Sequence, residues 1–241
     1  MTNIQVKNVS ELGSFPFKDN WLLERNGKLM AYIGQGCKSS VLENPYCLSG
    51  YNRESINLYQ RLLYREFRHY LATKKKSKAI ASIIQLACSH KNIDLYCDRE
   101  PLDSHGSYIA RIIDLFQVEW VMLCGSRSCQ SLPKKAIACL HQEIEQESFF
   151  LVGDAPGADR LWQEEIVKAD YRRAIVFAPN GLVVRNNLLG RKAILVPNGG
   201  YQKRDEIMRR HSQSALAVWD GKSAGTKRTI ELMNQCEVFR F

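Results

Sequence analysis

The chain has 241 residues, 45% of them hydrophobic, and carries a formal net charge of +9. This length suits one large domain or two medium ones, and the apolar content supplies a core that needs no disulfide or metal staples. No run approaches the roughly 18 apolar residues that cross a bilayer, and the N-terminus lacks the apolar block of a signal peptide. We therefore expect a cytoplasmic protein that has no membrane partner.

Cysteine usage and charge distribution narrow the class further. The eight cysteines are scattered and form no Cys-x-x-Cys pair, so we expect reduced and mostly buried thiols. Residues 1–117 hold 16 basic and 11 acidic side chains, and residues 118–241 hold 18 and 14, so the positive charge is spread evenly. The dense run Lys74-Lys75-Lys76 lies between two helical patterns and is typical of a solvated loop. The charge permits a phosphorylated ligand without demonstrating one.

The first half of the chain predicts a small α/β domain over residues 1–117. Residues 29–34 have the pattern of a strand, and a helix with apolar residues at steps of three or four begins at Arg53. A second helix follows the lysine run, residues 93–97 form a short strand, and Ser104 is placed to cap a third helix.

Residues 118–241 alternate strands with helices and predict a parallel, doubly wound, Rossmann-like sheet with right-handed crossovers. We expect segment 179–201 to be a long loop beside the ligand crevice. The predicted strands are 120–124, 149–152, 174–178, 215–219 and 237–241, and the predicted helices are about 133–146, 158–169, 202–211 and 225–234.

Three glycine-containing loops in this half follow apolar strands and open helical patterns. Such turns present backbone N–H groups and the positive end of a helix dipole to an anion, usually a phosphate. Together they predict a nucleotide or nucleotide-derived small molecule as the ligand. The loop residues that we expect to bind it are Gly125, Ser126, Arg127, Gly153, Asp154, Ala155, Gly157, Ala158, Asp159, Asp220, Gly221, Lys222, Ser223, Gly225 and Thr226.

Individual side chains in these loops admit two interpretations. Gly157 permits close approach of backbone to a phosphate, and Asp159 either caps the following helix or accepts hydrogen bonds from ribose hydroxyls. Ser223 and Thr226 are either caps of the last helix or hydroxyl donors to a phosphate. A cap alone does not account for Gly225 and Lys222 together.

The motifs of the second half resemble a known superfamily. They are, in order, Gly125-Ser126-Arg127, Gly153-Asp154-x-x-Gly157-Ala158-Asp159, Arg204-x-x-x-Met208 and Trp219-Asp220-Gly221-x-Ser223-x-Gly225-Thr226. They resemble the Rossmann-like SLOG superfamily, which unites the DNA-processing proteins, the cytokinin-activating phosphoribohydrolases and the YspA-like sensors of nucleotide-derived ligands. The YspA-like branch is the most similar. The resemblance implies a Rossmann-like fold and a nucleotide-type ligand, with Arg204 among the binding residues.

One position bears on catalysis. In the phosphoribohydrolases a glutamate after the last loop works with the arginine that Arg204 matches, whereas this chain has Thr229 there. Glu231 lies two residues further on and is therefore rotated by about 200° around the helix. If the protein is a hydrolase, Arg204 must work with a general acid or nucleophile drawn from Asp154, Asp159 and Asp220.

The first half resembles an uncharacterised bacterial and phage domain family with an Asn-Pro turn, a helix-opening Arg-Glu and a late Cys-His-Gly motif. Candidate site residues here are Asn44, Arg53, Cys97 and His105. Cys97 and His105 form either a nucleophile and its base, or a buried thiol and a helix-capping histidine. Arg99 and Ser104 stand where that family has two further cysteines, which argues against a metal or redox role.

Three functions remain open at this point. The leading hypothesis is an intracellular binder or sensor of a nucleotide-derived ligand, the second a nucleotide hydrolase or N-glycosidase, and the third a protein that binds single-stranded nucleic acid. The histidines show no metal-ligand spacing, and we expect no metal or other cofactor. The sequence leaves a homo-oligomer open.

Overall fold

The computed structural model describes residues 3–17, 20–34, 40–45, 53–89, 91–97 and 105–241. The chain divides into two compact units. The first comprises residues 1–70 and 75–117, and the second comprises residues 71–74 and 118–241. No helix in the described ranges combines the length and apolar character required to cross a bilayer.

The first unit is built on a four-stranded sheet. Its strand order is β1-β4-β3-β2, with β4 parallel to both β1 and β3, and β2 antiparallel to β3. The elements, in chain order, are β1 (Ile4–Asn8), a 3₁₀ helix (Val9–Leu12), β2 (Leu22–Arg25), β3 (Lys28–Tyr32), α1 (Arg53–Thr73), α2 (Lys78–Ala87), β4 (Ile93–Cys97) and α3 (Gly106–Gln117).

The predicted strands and helices of this unit correspond to β3, β4 and the three helices, while β1 and β2 were not predicted. The β2–β3 hairpin turns at Asn26-Gly27, where both residues have positive φ (53° and 72°), the conformation that favours Asn-Gly in two-residue hairpins. The predicted cap Ser104 lies outside the described residues, as does Arg99.

The second unit is the predicted Rossmann-like doubly wound domain. All six of its strands are parallel, in the order β10-β9-β5-β6-β7-β8. Its elements are β5 (Trp120–Gly125), α4 (Lys134–Glu145), β6 (Phe149–Gly153), α5 (Ala158–Lys168), β7 (Ala174–Pro179), β8 (Ile194–Val196), α6 (Tyr201–His211), β9 (Ser214–Trp219), α7 (Ala224–Leu232) and β10 (Gln235–Arg240).

Strand order explains where a ligand crevice forms. The chain runs outward from β5 through β6, β7 and β8, then returns through α6 to place β9 on the other side of β5. One face of the sheet packs against Leu140 of α4 and Trp162 of α5, and α6 buries Ile207 and Met208 on the opposite face. The strand order therefore reverses between β5 and β9, which opens a crevice at their carboxyl ends.

The prediction that segment 179–201 forms one long loop is wrong in one respect. The segment contains the three-residue edge strand β8, which pairs with Phe177–Pro179 of β7. No helix joins β7 to β8, and the intervening loop reaches the carboxyl edge of the sheet through Arg185 and Asn186, both of which are hydrogen-bonded to Asp154.

Cysteines in the described part of the chain form no disulfide. Cys97, Cys124 and Cys129 are buried, and Cys88 is exposed. Burial raises the pKa of the Cys124 thiol well above its ordinary value, so this thiol stays protonated at neutral pH and acts as a packing group.

Two glycines at the carboxyl edge are required by contacts within the chain. A Cβ at Gly125 would overlap the carbonyl of Val218 and come within 2.6 Å of the Ala158 Cβ. Gly157 has φ +75°, and a Cβ there would lie 2.7 Å from the Cα of Arg127. The close approach expected at Gly157 is therefore made by the protein's own backbone.

We predict that Gly157→Ala lowers the free energy of unfolding by about 3 kcal/mol or more, because it adds overlap with backbone to the cost of positive φ. Gly181 provides a matched control, since it has φ +84° and a Cβ there would meet no atom within 4 Å. Gly181→Ala carries only the conformational cost, about 1 kcal/mol. Urea denaturation measures both, and equal losses would show that the contact with Arg127 is unimportant.

Candidate functional site

Helices α5, α6 and α7 begin at the carboxyl edge of the six-stranded sheet. The residues that precede α5, α6 and α7 are Gly157, Gly200 and Ser223, and no helix of the three has a side-chain cap. First-turn amides lack acceptors within the helix, and the helix dipole adds partial positive charge there. The first amide of α5 already donates to the Ser126 carbonyl at 3.2 Å, so the backbone donors that this edge offers to an anion are those at the starts of α6 and α7.

A cleft of about 380 Å³ lies among these helix starts. Eight residues of its wall were predicted from the sequence: Gly125, Arg127, Ala155, Asp159, Arg204, Ser223, Gly225 and Thr226. Six further wall residues were missed: Cys124, Tyr201, Gln202, Asp205, Ala224 and Thr229. The remaining predicted loop residues are outside the wall, namely Ser126, Gly153, Asp154, Gly157, Ala158, Asp220, Gly221 and Lys222.

Arg204 is the centre of a buried charge cluster. Its Nη1 donates to Asp154 Oδ1 at 2.8 Å, and its Nη2 lies 2.7 Å from Asp205 Oδ1 and 3.3 Å from Asp159 Oδ2. Burial acts to lower the pKa of the guanidinium, but the three carboxylates outweigh it and raise that pKa. Arg204, expected to hold the ligand, is thus already held by the protein.

Asp154 anchors a loop. Its carboxyl group is fully buried and accepts hydrogen bonds from Arg204 and, at 3.2 Å, from the backbone N–H of Arg185. Its main-chain carbonyl accepts a bond from the Asn186 side chain at 3.1 Å. These contacts fix the β7–β8 loop beside β6, and they leave Asp154 engaged on both carboxylate oxygens.

Asp159 is the most perturbed acid of the cleft wall. Burial raises the pKa of its carboxyl group to about 6, while Arg204 acts to lower it. The carboxylate accepts the backbone N–H of Ala155 at 3.1 Å, so it organises the loop that leads into α5. A Cβ at Gly153 would overlap Asp159 and Arg204, which makes glycine necessary there for the charge cluster.

Asp220 organises the loop before α7. Its carboxylate accepts the Ser128 hydroxyl at 2.7 Å and the backbone N–H groups of Lys222 and Ser223 at 2.9 and 2.7 Å. The hydrogen bond from Ser128 is the main reason that the pKa of this carboxyl group is lowered. Asp220 is therefore ionised and is unsuited to the role of general acid. Ser126 accepts the Asp220 N–H at 3.1 Å and so joins two loops.

Tyr201, the first residue of α6, is surrounded by cationic side chains. The guanidinium carbons of Arg127, Arg185 and Arg204 lie 4.8, 5.2 and 5.2 Å from the centre of its ring. Arg127 and Arg185 are exposed, and neither pairs with a carboxylate among the residues that the structure describes. Both guanidinium groups therefore remain available to an anion.

The start of α7 is open toward the cleft. A Cβ at Gly225 would meet no atom within 4 Å. One turn further along, Thr229 lines the cleft and donates its hydroxyl to the Gly225 carbonyl at 3.3 Å. Glu231 is exposed and pairs with Lys227 at 3.7 Å. Neither Thr229 nor Glu231 therefore supplies a carboxylate to this wall of the cleft.

A second depression, of about 570 Å³, lies between α6 and α7. Arg209 and Arg228 line it together with five residues that also line the cleft: Gln202, Asp205, Ala224, Gly225 and Thr229. The two spaces are therefore adjacent along the starts of α6 and α7.

Three of the four candidate residues of the first unit, Asn44, Cys97 and His105, make contacts with its own backbone. Asn44 donates to the Ser55 carbonyl at 3.1 Å, and the Cys97 thiol to the Lys7 carbonyl at 3.6 Å. The His105 Nε2 lies 2.8 Å from the carbonyl oxygen of Ile33, which can only accept, so Nε2 carries the proton. Arg53 is exposed at the start of α1. These contacts support the structural interpretation of Cys97 and His105.

Within the described ranges, no group of three or more His, Cys, Asp or Glu side chains is arranged to hold a metal ion. No family model matches the chain, and no curated protein or solved structure is detectably similar to it.

We predict that the stability of the wild type relative to an Asp159→Asn variant falls as pH rises from about 4 to 6. The folded protein holds the Asp159 proton more tightly than the unfolded chain does, so stability from this group is full below pH 4 and lost above pH 6. A shift of about two pKa units corresponds to about 3 kcal/mol. Urea denaturation of both proteins between pH 4 and 7.5 gives the difference, and a flat difference would contradict the assignment.

Proposed function

We propose that the second unit binds a nucleotide or nucleotide-derived small molecule in the cleft at the carboxyl edge of its sheet, and that it acts as a binder or sensor. The observation that carries this proposal is that the uncapped starts of α6 and α7 line one cleft, beside two arginines, Arg127 and Arg185, that pair with no carboxylate in the described ranges. Backbone N–H groups and guanidinium groups are the donors that phosphate oxygens accept.

The inner charges favour binding at the mouth of the cleft. Three carboxylates share the single guanidinium of Arg204, so the base of the cleft repels a phosphate. Arg127 and Arg185 stand further out and have no such competitors among the described residues. The phosphate groups of the ligand therefore contact these two arginines and the open N–H groups near Gly225.

Hydrolysis of an N-glycosidic bond is the alternative. Asp159 favours it, since a carboxyl group with a pKa of about 6 in a cleft wall is suited to proton transfer. Three features favour binding without cleavage: Asp159 is held by Arg204 and the Ala155 N–H, Asp220 stays ionised, and α7 presents Thr229.

Single-stranded nucleic acid is the weaker alternative partner. Binding of this kind uses several aromatic rings on which successive bases stack. In the part of the chain that the structure describes, the exposed aromatic side chains are Tyr64 and Phe241, one in each unit. They do not form a stacking platform.

We predict that the full-length protein binds at least one nucleotide, and that Arg127→Ala weakens this binding about tenfold or more through loss of a charge-assisted contact with phosphate. The panel is the mono-, di- and triphosphates of adenosine, guanosine, cytidine and uridine, with ADP-ribose, measured by isothermal titration calorimetry. Arg111 is a matched control, because it is exposed and lies 5.4 Å from the ring of Tyr108 in the other unit. Absence of binding across the panel, or equal losses for both variants, would contradict the proposal.

We also predict no release of free base from nucleoside monophosphates by the wild type. General acid–base help of the kind that a glutamate gives is worth about 10²–10⁴-fold in rate, and Thr229 cannot provide it. Chromatography of long incubations measures the free base. Release that Asp159→Asn abolishes would instead establish the hydrolase.

A further inference from the structure

Tyr201 occupies an unusual position in the cleft wall. Its Oη is buried and has no hydrogen-bond partner among the described residues, while the residue as a whole is only half-buried. The hydroxyl group of Tyr201 is therefore inaccessible to a ligand. The part that can meet a ligand through a side chain is the aromatic ring.

The ring is covered by side chains that can leave it. Arg204 is fixed by its carboxylates, but Arg127 and Arg185 are exposed, come from two separate loops and have no carboxylate partner in the described ranges. Three guanidinium groups near one ring repel one another. An exposed cation–π contact is also weaker than the stacking of a base on an aromatic ring.

We propose that Tyr201 makes the cleft selective for anions that carry an aromatic base. A phosphate at the mouth draws Arg127 or Arg185 from the ring, and the base stacks on the face that the guanidinium leaves. Both exchanges favour the complex, since each arginine gains a charge-assisted contact and the ring gains a larger planar partner. This inference rests on the proposed function and names the group that the site recognises beyond phosphate.

Two variants separate the ring from the rest of the residue. Tyr201→Leu removes the aromatic face, and Tyr201→Phe keeps it without the hydroxyl. The probes are ADP and GDP, which carry a base, and inorganic pyrophosphate, which has the same number of phosphates without one. Calorimetric titration of each full-length protein gives the ratio of nucleotide affinity to pyrophosphate affinity.

We expect the wild type to prefer at least one of the two nucleotides to pyrophosphate by roughly 5- to 100-fold, the range that base stacking supplies. Tyr201→Phe keeps this ratio and Tyr201→Leu brings it close to one, with pyrophosphate affinity changed little. If the Leu variant does not give the wild-type circular dichroism spectrum, Tyr201→Met takes its place.

Other outcomes separate this inference from the proposed function. If the wild type binds nucleotides no more tightly than pyrophosphate, or if the Leu variant keeps the preference, Tyr201 does not recognise a base although the cleft still binds phosphate. If Phe loses the preference as fully as Leu, the hydroxyl group rather than the ring is responsible and the inference is overturned. If the wild type binds neither probe nor any nucleotide of the panel, the proposed function itself fails.

Discussion

The carboxyl edge of the six-stranded sheet depends on one buried guanidinium, that of Arg204, shared among three carboxylates. Asp154 follows β6, Asp159 lies in the first turn of α5, and Asp205 lies beside Arg204 on α6, so the cluster ties a strand end and two helices together. Removing a charge partner from a buried cluster leaves an uncompensated charge, which is more costly than the pair itself is stabilising. The loops around the cleft are therefore fixed by a charge arrangement that tolerates little change.

The consequences of this cluster reach the residues around it. Gly153 must lack a side chain because the carboxylate of Asp159 and the guanidinium occupy the space where a Cβ would lie. The second carboxylate oxygen of Asp154 accepts the backbone N–H of Arg185. This bond positions the β7–β8 loop so that the exposed guanidinium of Arg185 lies near Tyr201. Burial raises the pKa of Asp159 to about 6, and the carboxylates of Asp205 and Asp154 add to this rise while Arg204 opposes it.

Alternating apolar strands and amphipathic helices were enough to predict the Rossmann-like sheet, because four of its six strands are followed directly by a helix. The prediction lost β8, since a three-residue strand reached without an intervening helix has too little pattern to recognise. In the first unit β1 and β2 were missed because each holds only two apolar residues, whereas β3 and β4 each hold four. The Asn26-Gly27 pair was nevertheless a usable hairpin signal between β2 and β3.

The site was less predictable than the fold because a sequence does not show what a glycine faces. Gly125, Gly153 and Gly157 all suit a phosphate loop, yet each accommodates the chain's own atoms, and of these four only Gly225 has open space where a Cβ would lie. No sequence motif identified Tyr201 as a site residue. The available signal was its position directly after two glycines, where a helix begins without a capping side chain.

The structure thus separates the charges of this edge into two layers with different tasks. In the inner layer, the carboxylates of Asp154, Asp159 and Asp205 outnumber the single positive charge of Arg204. The layer therefore repels an added dianion. The outer layer, Arg127 and Arg185, lacks acidic partners in the described ranges and rests on Tyr201. Under the proposed function, the inner layer sets the shape of the cleft and the outer layer supplies the attraction. Because the outer charges are exposed, binding of an anion there weakens as salt screens them.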